Sequence, residues 1–513
     1  MTFSTVVDQR ERFLYLIAIV GSVLLSVWIN SRETVINPDA ICYLLSAQMI
    51  GQTGLHDAMH LCGQARWPFY STLIYGLAYP THFLYVTAAY ILDGLFSACS
   101  VITFILIVKT LGGSQRVLWL ATGVILLSHE FNSVRQYIIR DHGFWAFYLL
   151  SLFCLLHYFR HPRWLVAWGF SISLAVATLF RIEGAIFLLM LPFLSWVALR
   201  CPFRMRAICF LTLYLPVLII AFAIGIWLLL HPQQTLAQLG RIGEVVQQIH
   251  DGLLMVVTNY QSTKTALATH VLSQDSISDA GLVLLVTMVG WYLMSVINNL
   301  SWIYSCLTLY AWRRKTAIFA PSAKWVLGGY IFVNVLITFG FLLEHLFLSK
   351  RYLIALSLIF MLWVPFALDD LLQRGSSPRY RKLFLLSVLL IVITSLGGFL
   401  NFGHSKKYIR EAGDWLADHL PPQAMLYAND DQLMYYSQHF GTQIFDKMQR
   451  YHHLDIMAND QWKQYDYIAL RVNQKDKDSH NALQNIPLSP VQVFNNGRGD
   501  AVIIYAVHPE AKT

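Results

Sequence analysis

The chain has 513 residues, of which 56% are hydrophobic and only 13% are charged. Its mean hydropathy of +0.50 lies far above that of soluble proteins, so the sequence predicts an integral membrane protein. The net charge of +8 does not indicate a nucleic-acid partner, because the excess of Lys and Arg falls in short loops between apolar segments. Nucleic-acid binding is therefore excluded.

Apolar runs that are long enough, or nearly so, to cross a hydrocarbon core of about 30 Å recur along the first four-fifths of the chain. They predict about eleven transmembrane helices, at residues 13–30, 83–108, 116–129, 142–159, 164–180, 184–199, 206–230, 280–311, 325–346, 352–368 and 382–401. No small-residue cleavage pattern follows the first run, so it is expected to stay as a helix and not to be removed as a signal peptide.

The distribution of charge predicts the orientation of these helices. With the N-terminus inside, seventeen Lys and Arg residues fall in cytoplasmic segments and nine in the outer loops 31–82, 129–141 and 231–279 and the shorter outer turns. Most acidic residues fall on the outer side. We therefore expect a multi-pass protein of the cytoplasmic (inner) membrane whose carboxylate chemistry faces the periplasm or the outside, without a nucleotide cofactor.

The composition becomes polar beyond Phe402, which predicts two domains: a transmembrane domain over residues 1–403 and a soluble α/β domain over 404–513 on the outer side. In the second, residues 408–420 favour a helix, and 424–428 and 466–471 favour strands. The stretches 491–494 and 501–507 flank a run of Asn, Gly and Arg that is typical of a β-hairpin.

Two of the seven cysteines, Cys42 and Cys62, share the first outer segment. The outer side of the membrane is an oxidising environment, so a disulfide between them is conceivable, and the sequence leaves the question open. No pair of cysteines has the spacing of a structural zinc site.

Several polar motifs fall at the outer ends of predicted helices. Asp39 follows Asn37-Pro38 after the first helix, with Tyr43 four residues later. By spacing alone, a role for Asp39 in capping a helix is the better interpretation. The other motifs are Arg66-Trp67-Pro68, Arg140-Asp141, Arg181-Ile182-Glu183-Gly184 and Arg351-Tyr352.

In this order and on one side of the membrane, the motifs resemble those of the GT-C superfamily of membrane glycosyltransferases, especially the branch of the lipid A aminoarabinose transferases and the protein O-mannosyltransferases. The resemblance covers the whole chain. It depends on Asp39 with Tyr43 and Ala47, on Arg140-Asp141, on Arg181 with Gly184, and on Arg351-Tyr352 before a soluble C-terminal domain. The chain departs from the family at Asp39-Ala40, where the family often has Asp-Glu, and at Arg66-Trp67-Pro68, where it has Lys-Pro-Pro.

The resemblance implies transfer of a sugar, with inversion, from a polyprenyl-phosphate carrier to an acceptor hydroxyl of a lipid, glycan or protein. It places Asp39 as general base or acceptor-positioning carboxylate, and Asp141 as the acid of the second outer loop. The residues support the same chemistry, because the leaving phosphate needs positive charge from Arg66, Arg140 or Arg351, and the attacking hydroxyl needs a carboxylate. A divalent metal ion held by Asp39, Glu130 and Asp141 is an equal alternative for neutralising the phosphate.

Other assignments have two interpretations each. Tyr43, Arg181, Glu183, Tyr352 and His345 are expected to contact substrate, whereas Arg181 with Glu183 could equally form an ion pair that anchors a helix hairpin. His345 could equally serve in helix–helix hydrogen bonding. Two other functions compete with the transferase: a transporter or flippase of lipid-linked sugars, and an oligosaccharide ligase or polymerase that uses a polyprenyl-diphosphate donor.

Overall fold

The computed structural model describes residues 9–231, 241–400, 405–439, 461–474 and 488–507. These residues form mainly α-helices, with a small four-stranded sheet in the C-terminal part. The predicted class, a polytopic helical membrane protein with a small C-terminal α/β part, is confirmed.

Contacts along the chain define two units. The first holds the residues up to Val27 together with Ile91–Gln136 and Arg140–Leu400, and the second holds Trp28–Tyr90, Tyr137–Ile139 and the residues from Asn401 onwards. Two of the five boundaries between the units fall within α1 (Gln9–Asn30) and α5 (Tyr85–Thr110). The domain boundary that the sequence places after residue 403 stays a prediction, but contacts group the first outer loop with the C-terminal residues.

All regular secondary structure of the first unit is helical over its described residues. Its further helices are α6 (Gln115–Leu126), α7 (His129–Ser133), α8 (Asp141–Arg160), α9 (Trp164–Phe180), α10 (Glu183–Met190), α11 (Leu194–Ala198), α12 (Phe203–Leu230), α13 (Arg241–His270), α14 (Ala280–Leu300), α15 (Trp302–Arg314), α16 (Pro321–His345), α17 (Lys350–Met361), α18 (Val364–Gln373) and α19 (Pro378–Phe399).

Eight of the described helical segments are long and apolar enough to cross a membrane, and nine if the pair Gln115–Leu126 and His129–Gln136, bent by 49°, is one span. Two shorter apolar helices, Trp164–Phe180 and Glu183–Ala198, accompany them. Every predicted apolar run therefore coincides with helix, because only a helix satisfies the backbone of an apolar segment internally. The exact number of spans stays a prediction.

One predicted span is wrong in its extent. The run 280–311 is two helices, because Ser301 has a φ of 71° and ends α14 before its side chain accepts a hydrogen bond from the first turn of α15. The preceding Asn299 is buried and donates to the backbone carbonyl of Lys350 at 2.8 Å, while Ser357 donates to its side-chain oxygen at 2.6 Å. These polar contacts stabilise the break inside an apolar run.

The second unit combines the first outer loop with the C-terminal residues. Its helices are α2 (Pro38–Gln52), α3 (Leu55–Met59), α4 (Phe69–Thr81), α20 (Lys407–His419) and α21 (Asp431–Ser437), and its strands are β1 (Leu426–Ala428), β2 (Tyr467–Val472), β3 (Pro490–Asn495) and β4 (Ala501–Ala506). The sheet has the order β1-β2-β4-β3, with β1 parallel to β2 and the other pairs antiparallel.

The sequence predicted α20, β1, β2 and the β3–β4 hairpin, and the structure confirms them. Gly497 and Gly499 have φ values of 70° and 97° in the hairpin turn, a conformation that favours glycine. The sequence did not predict α21. This helix has seven residues and is too short to be stable alone, so it depends on its N-cap and on packing.

The N-cap of α21 is Asp430, whose Oδ1 accepts from the backbone N–H groups of Gln432 and Leu433 at 3.0 Å each. Its second oxygen accepts from Nη1 of Arg471 on β2 at 2.5 Å. Burial alone would lower the pKa of Arg471, but the charge of Asp430 raises it above its ordinary value. One carboxylate therefore attaches α21 to the sheet.

Replacement of Asp430 by Ala removes the cap and leaves Arg471 without this carboxylate, so we expect the C-terminal part to lose about 2 kcal/mol of stability. Pulse proteolysis of the full chain in urea measures this loss. Asp430→Asn keeps a capping oxygen and should lose clearly less. Equal stability of Asp430→Ala and the native protein would contradict this account of α21.

Candidate active site

The central feature of the first unit is a guanidinium group held between two carboxylates. Arg181, in the two-residue link between α9 and α10, forms ion pairs with Asp141 at the start of α8 and with Glu183 at the start of α10. Its side chain is only 11% exposed and lies over the ring of Tyr352, 4.4 Å from the ring centre. Burial alone would lower the pKa of Arg181, but the two carboxylates raise it well above its ordinary value.

Two glycines permit this arrangement. A Cβ on Gly143, two residues after Asp141, would lie 2.3 Å from the ring of Phe180 at the end of α9. A Cβ on Gly184 would lie 2.6 Å from the backbone nitrogen of Thr178. Only glycine therefore allows the beginnings of α8 and α10 to approach the end of α9 this closely. This is a physical reason for Gly184 in the motif that starts at Arg181.

A cleft lies beside Arg181 and Glu183. Its lining is mainly aromatic and apolar, with two arginines, a carboxylate and two neutral polar groups. The lining residues are Phe144, Trp145, Arg181, Glu183, Phe187, Asn334, Ile337, Thr338, Phe341, Arg351, Tyr352 and Ala355. Most ligand sites combine apolar walls with a few converging polar groups in this way.

Arg140 stands one residue before Asp141, and its positive charge acts on Glu183. Within the part of the chain that the structure describes, Nη1 of Arg140 is buried and has no hydrogen-bond acceptor. An N–H group in this situation costs free energy unless a ligand or water accepts from it. Arg140 can therefore receive an anion.

Other residues that the sequence singled out lie in the same unit but have different contacts. His345 stacks on Phe341, one of the cleft residues, with ring centres 4.2 Å apart. Glu130 is buried and accepts a hydrogen bond from Lys350 at 2.9 Å. The adjacent His129 is 3.7 Å from the same carboxylate oxygen.

The second unit holds Asp39, Tyr43 and Arg66. Asp39 is the second residue of α2, and the N-cap is Asn37, so Asp39 does not occupy the N-cap position itself. Its Oδ1 accepts a hydrogen bond from Nε2 of Gln64 at 2.9 Å. Tyr43 is buried against Tyr70, with ring centres 5.1 Å apart, whereas Arg66 is exposed.

A disulfide joins Cys42 on α2 to Cys62, with a Cα–Cα distance of 6.2 Å. The question that the sequence left open is therefore answered in favour of the bond. Cys62 precedes the short 3-10 helix Gly63–Arg66, which carries Gln64. The disulfide thus holds the residue that donates to Asp39 against the helix that carries Asp39.

The candidate metal ligands do not form a metal centre among the described residues, where no three His, Cys, Asp or Glu side chains come together. Within the first unit, Asp141 is paired with Arg181 and Glu130 with Lys350. These two carboxylates are therefore already balanced by basic side chains.

Sequence analysis missed several residues of the site. Gln64 and the aromatic lining residues Phe144 and Trp145 carry no recognisable motif. Asn37, directly before Pro38, has the residue type of an N-cap, which was a usable signal. Its side chain instead bonds to Ile138, and a contact between residues 101 positions apart depends on the fold.

The chain is similar in fold to a solved oligosaccharyltransferase, and this likeness concerns the fold alone. The oligosaccharyltransferase of Archaeoglobus fulgidus, solved with zinc and sulfate, superposes with a TM-score of 0.56 at 10% identity over 91% of this chain and 69% of that one.

Two other solved structures are similar with lower scores. ArnT from Cupriavidus metallidurans, bound to undecaprenyl phosphate, has a TM-score of 0.44 and 13% identity over 97% of this chain and 98% of its own. The mycobacterial arabinofuranosyltransferase AftD has a TM-score of 0.49 and 15% identity, and the chain spans 41% of its length. The sequence matches no protein-family model and no curated protein.

The disulfide predicts a defined pattern of cysteine labelling. In protein denatured without reductant, a maleimide should modify the five free cysteines and leave Cys42 and Cys62 unmodified. After reduction all seven should be modified, which intact-mass spectrometry measures. The variant Cys42→Ser is the control, because it should expose Cys62 without reduction. Labelling of seven cysteines before reduction would contradict the pairing.

Proposed function

We propose that this protein is a glycosyltransferase that moves a sugar from a polyprenyl-phosphate carrier to an acceptor hydroxyl on a lipid, a glycan or a protein. The reaction takes place at the outer face of the cytoplasmic membrane and inverts the configuration of the sugar. The GT-C fold and the cleft beside Arg181 support the proposal. The positive-inside distribution of Lys and Arg supports the outer face.

The observation that carries the proposal is the arginine cluster, which we define as Arg140, Arg181 and Arg351 with Asp141 and Glu183. Arg181 and Arg351 line the cleft, and Nη1 of Arg140 is buried without an acceptor among the described residues. A sugar linked to a polyprenyl phosphate is a phosphodiester, and its anionic oxygens can accept hydrogen bonds from such N–H groups.

The rest of the cleft suits the other parts of such a donor. Phe144, Trp145, Phe341 and Tyr352 provide apolar faces, against which the first isoprene units and the C–H faces of a sugar ring can pack. Asn334 lines the same cleft. Its Nδ2 donates to the hydroxyl of Tyr148 and to the carbonyl of Tyr330, and its Oδ1 can accept a hydrogen bond from a sugar hydroxyl.

In the reaction, the acceptor hydroxyl oxygen forms a bond to the anomeric carbon of the sugar. The bond from that carbon to the phosphate oxygen breaks, and the polyprenyl phosphate leaves with the electron pair. Asp39 takes the hydroxyl proton as general base. Gln64 holds Oδ1 of Asp39 and thereby orients the carboxylate. Asp141 orients Arg181, whose charge stabilises the leaving phosphate.

Replacement of Asp39 by Asn removes the base while keeping the size of the side chain, so sugar transfer should fall by about a hundredfold or more. The assay is transfer of radiolabelled sugar from a panel of polyprenyl-phosphate sugars to endogenous acceptors in proteoliposomes. Asp57→Asn, an exposed acid of the same outer segment, is the matched control and should be unaffected. Asp141→Asn should lower the rate by about tenfold through Arg181. Turnover of Asp39→Asn close to that of the native protein would refute the role of Asp39.

Replacement of Arg140 by Gln removes a positive charge and a buried N–H group that has no acceptor among the described residues, so the affinity for undecaprenyl phosphate should fall by about tenfold, or about 1.4 kcal/mol. Native mass spectrometry of the purified full chain with added undecaprenyl phosphate measures this change. Arg204→Gln, an exposed arginine at the start of α12, is the control. Unchanged binding by Arg140→Gln would contradict the assignment of the arginine cluster to the phosphate.

A further inference from the structure

A short extended segment leads into the helix that carries Asp39. Within this segment, both backbone polar groups of Ile36 are bonded to α21 of the C-terminal part. The N–H of Ile36 donates to the hydroxyl of Tyr436 at 2.9 Å, and its carbonyl accepts from Nε2 of Gln432 at 2.6 Å. Ile36 and Gln432 are both buried, at 5% and 3% exposure. These two side chains, which we call the clamp, hold one residue of the first outer loop from both sides of its backbone.

The helix that carries the two clamp side chains, α21, is held in place by contacts within the C-terminal part. Asp430 caps α21 and pairs with Arg471, and Leu433 and Met434 are buried beneath it. A Cβ on Gly413 of α20 would lie 2.4 Å from the Cβ of Tyr436, so α20 and α21 pack at close range. Gln432 and Tyr436 are therefore fixed in place by the C-terminal part itself.

The segment between the clamp and Asp39 has little freedom. Asn37 follows Ile36 directly, and its side chain exchanges two hydrogen bonds with Ile138: Nδ2 donates to the carbonyl at 3.2 Å, and Oδ1 accepts from the N–H at 2.9 Å. Pro38 then has a fixed φ and begins α2. Fixing the backbone of Ile36 therefore fixes the first turn of α2, where Asp39 lies.

We propose that the C-terminal part is a positioning element of the active site, and that Gln432 and Tyr436 set the position of Asp39 through the backbone of Ile36. The inference rests on the proposed function, because it gives a role to residues that act on the proposed base. The clamp residues contact neither the reacting atoms nor the carboxylate itself.

The C-terminal part has buried apolar residues on its own elements, apart from the contacts with Ile36. Its core is built from its own elements, with Ile409 and Leu416 of α20 buried together with Ile468 and Leu470 of β2 and Ile504 of β4. A loss of the clamp should thus loosen the loop and leave this core intact. This separates a positioning role from a structural one.

The first test measures the loop directly. In the double variant Gln432→Leu/Tyr436→Phe, the amide hydrogens of residues 33–41 should exchange at least about tenfold faster in nanodiscs, because the N–H of Ile36 loses its acceptor. Hydrogen-exchange mass spectrometry on the full chain measures this, together with the exchange of β2. The matched control is Gln492→Leu/Tyr505→Phe on β3 and β4, which should leave residues 33–41 as in the native protein. Unchanged exchange of the loop in the clamp variant would overturn the proposal.

The second test measures catalysis in the same preparations. The clamp variant should lose about tenfold or more in kcat, while the KM for the polyprenyl-phosphate donor stays within about twofold, because misplacing a catalytic group affects the chemical step. Tyr436→Phe alone removes a single oxygen atom and should show part of the effect with a normal thermal transition. A loosened loop with native kcat would overturn the positioning role.

The outcomes separate this inference from the proposed function. If Asp39→Asn is inactive but the clamp variant has native kcat, the clamp proposal fails and the proposed base stands. If Asp39→Asn is active, the proposed function fails first. The exchange measurement still shows whether α21 holds the loop, because it does not depend on activity.

Discussion

A buried guanidinium group is the constraint on which the first unit depends. Arg181 is mostly withdrawn from water, and a charge in that position is retained only where opposite charges and hydrogen bonds replace the solvent. Asp141 and Glu183 supply them from two different helix starts. Gly143 and Gly184 allow the starts of α8 and α10 to lie close to the end of α9. This close packing is required because two carboxylates on separate helices must reach the same guanidinium group.

The same ion pairs assign a task to two of the acids. On the proposed function, Asp141 and Glu183 hold Arg181 in place for the leaving phosphate. Asp39 takes the proton of the acceptor hydroxyl, and Gln64 orients its carboxylate.

Much of the fold was predictable because an apolar segment in a membrane must be helical, and because Asn and Gly residues mark a hairpin turn. The break at Ser301 was not predicted, although the polar residues Asn298 and Asn299 precede it. Two polar residues within a long apolar run do not by themselves indicate the end of a helix. Helix α21 is stabilised by its cap and its neighbours, and local preferences do not show them. In the site, the motifs of Asp141, Arg181 and Glu183 were recognised separately. The sequence offered the ion pair of Arg181 with Glu183 as one of two interpretations, and the structure shows it. The pair of Arg181 with Asp141 was not predictable, because residues 40 positions apart meet only through helix packing.

The contact between Ile36 and Gln432 bridges 396 positions of the chain. Ribosomes add about 5–20 residues per second, so roughly 20–80 s pass between the synthesis of Ile36 and the synthesis of Gln432. The disulfide within residues 42–62 can form long before that moment. Maturation would then proceed in two stages, a local covalent closure soon after export and a final docking once translation is nearly complete. On the proposed function, a prematurely terminated chain would lack the contacts that position Asp39, which would keep incomplete copies from consuming the lipid carrier.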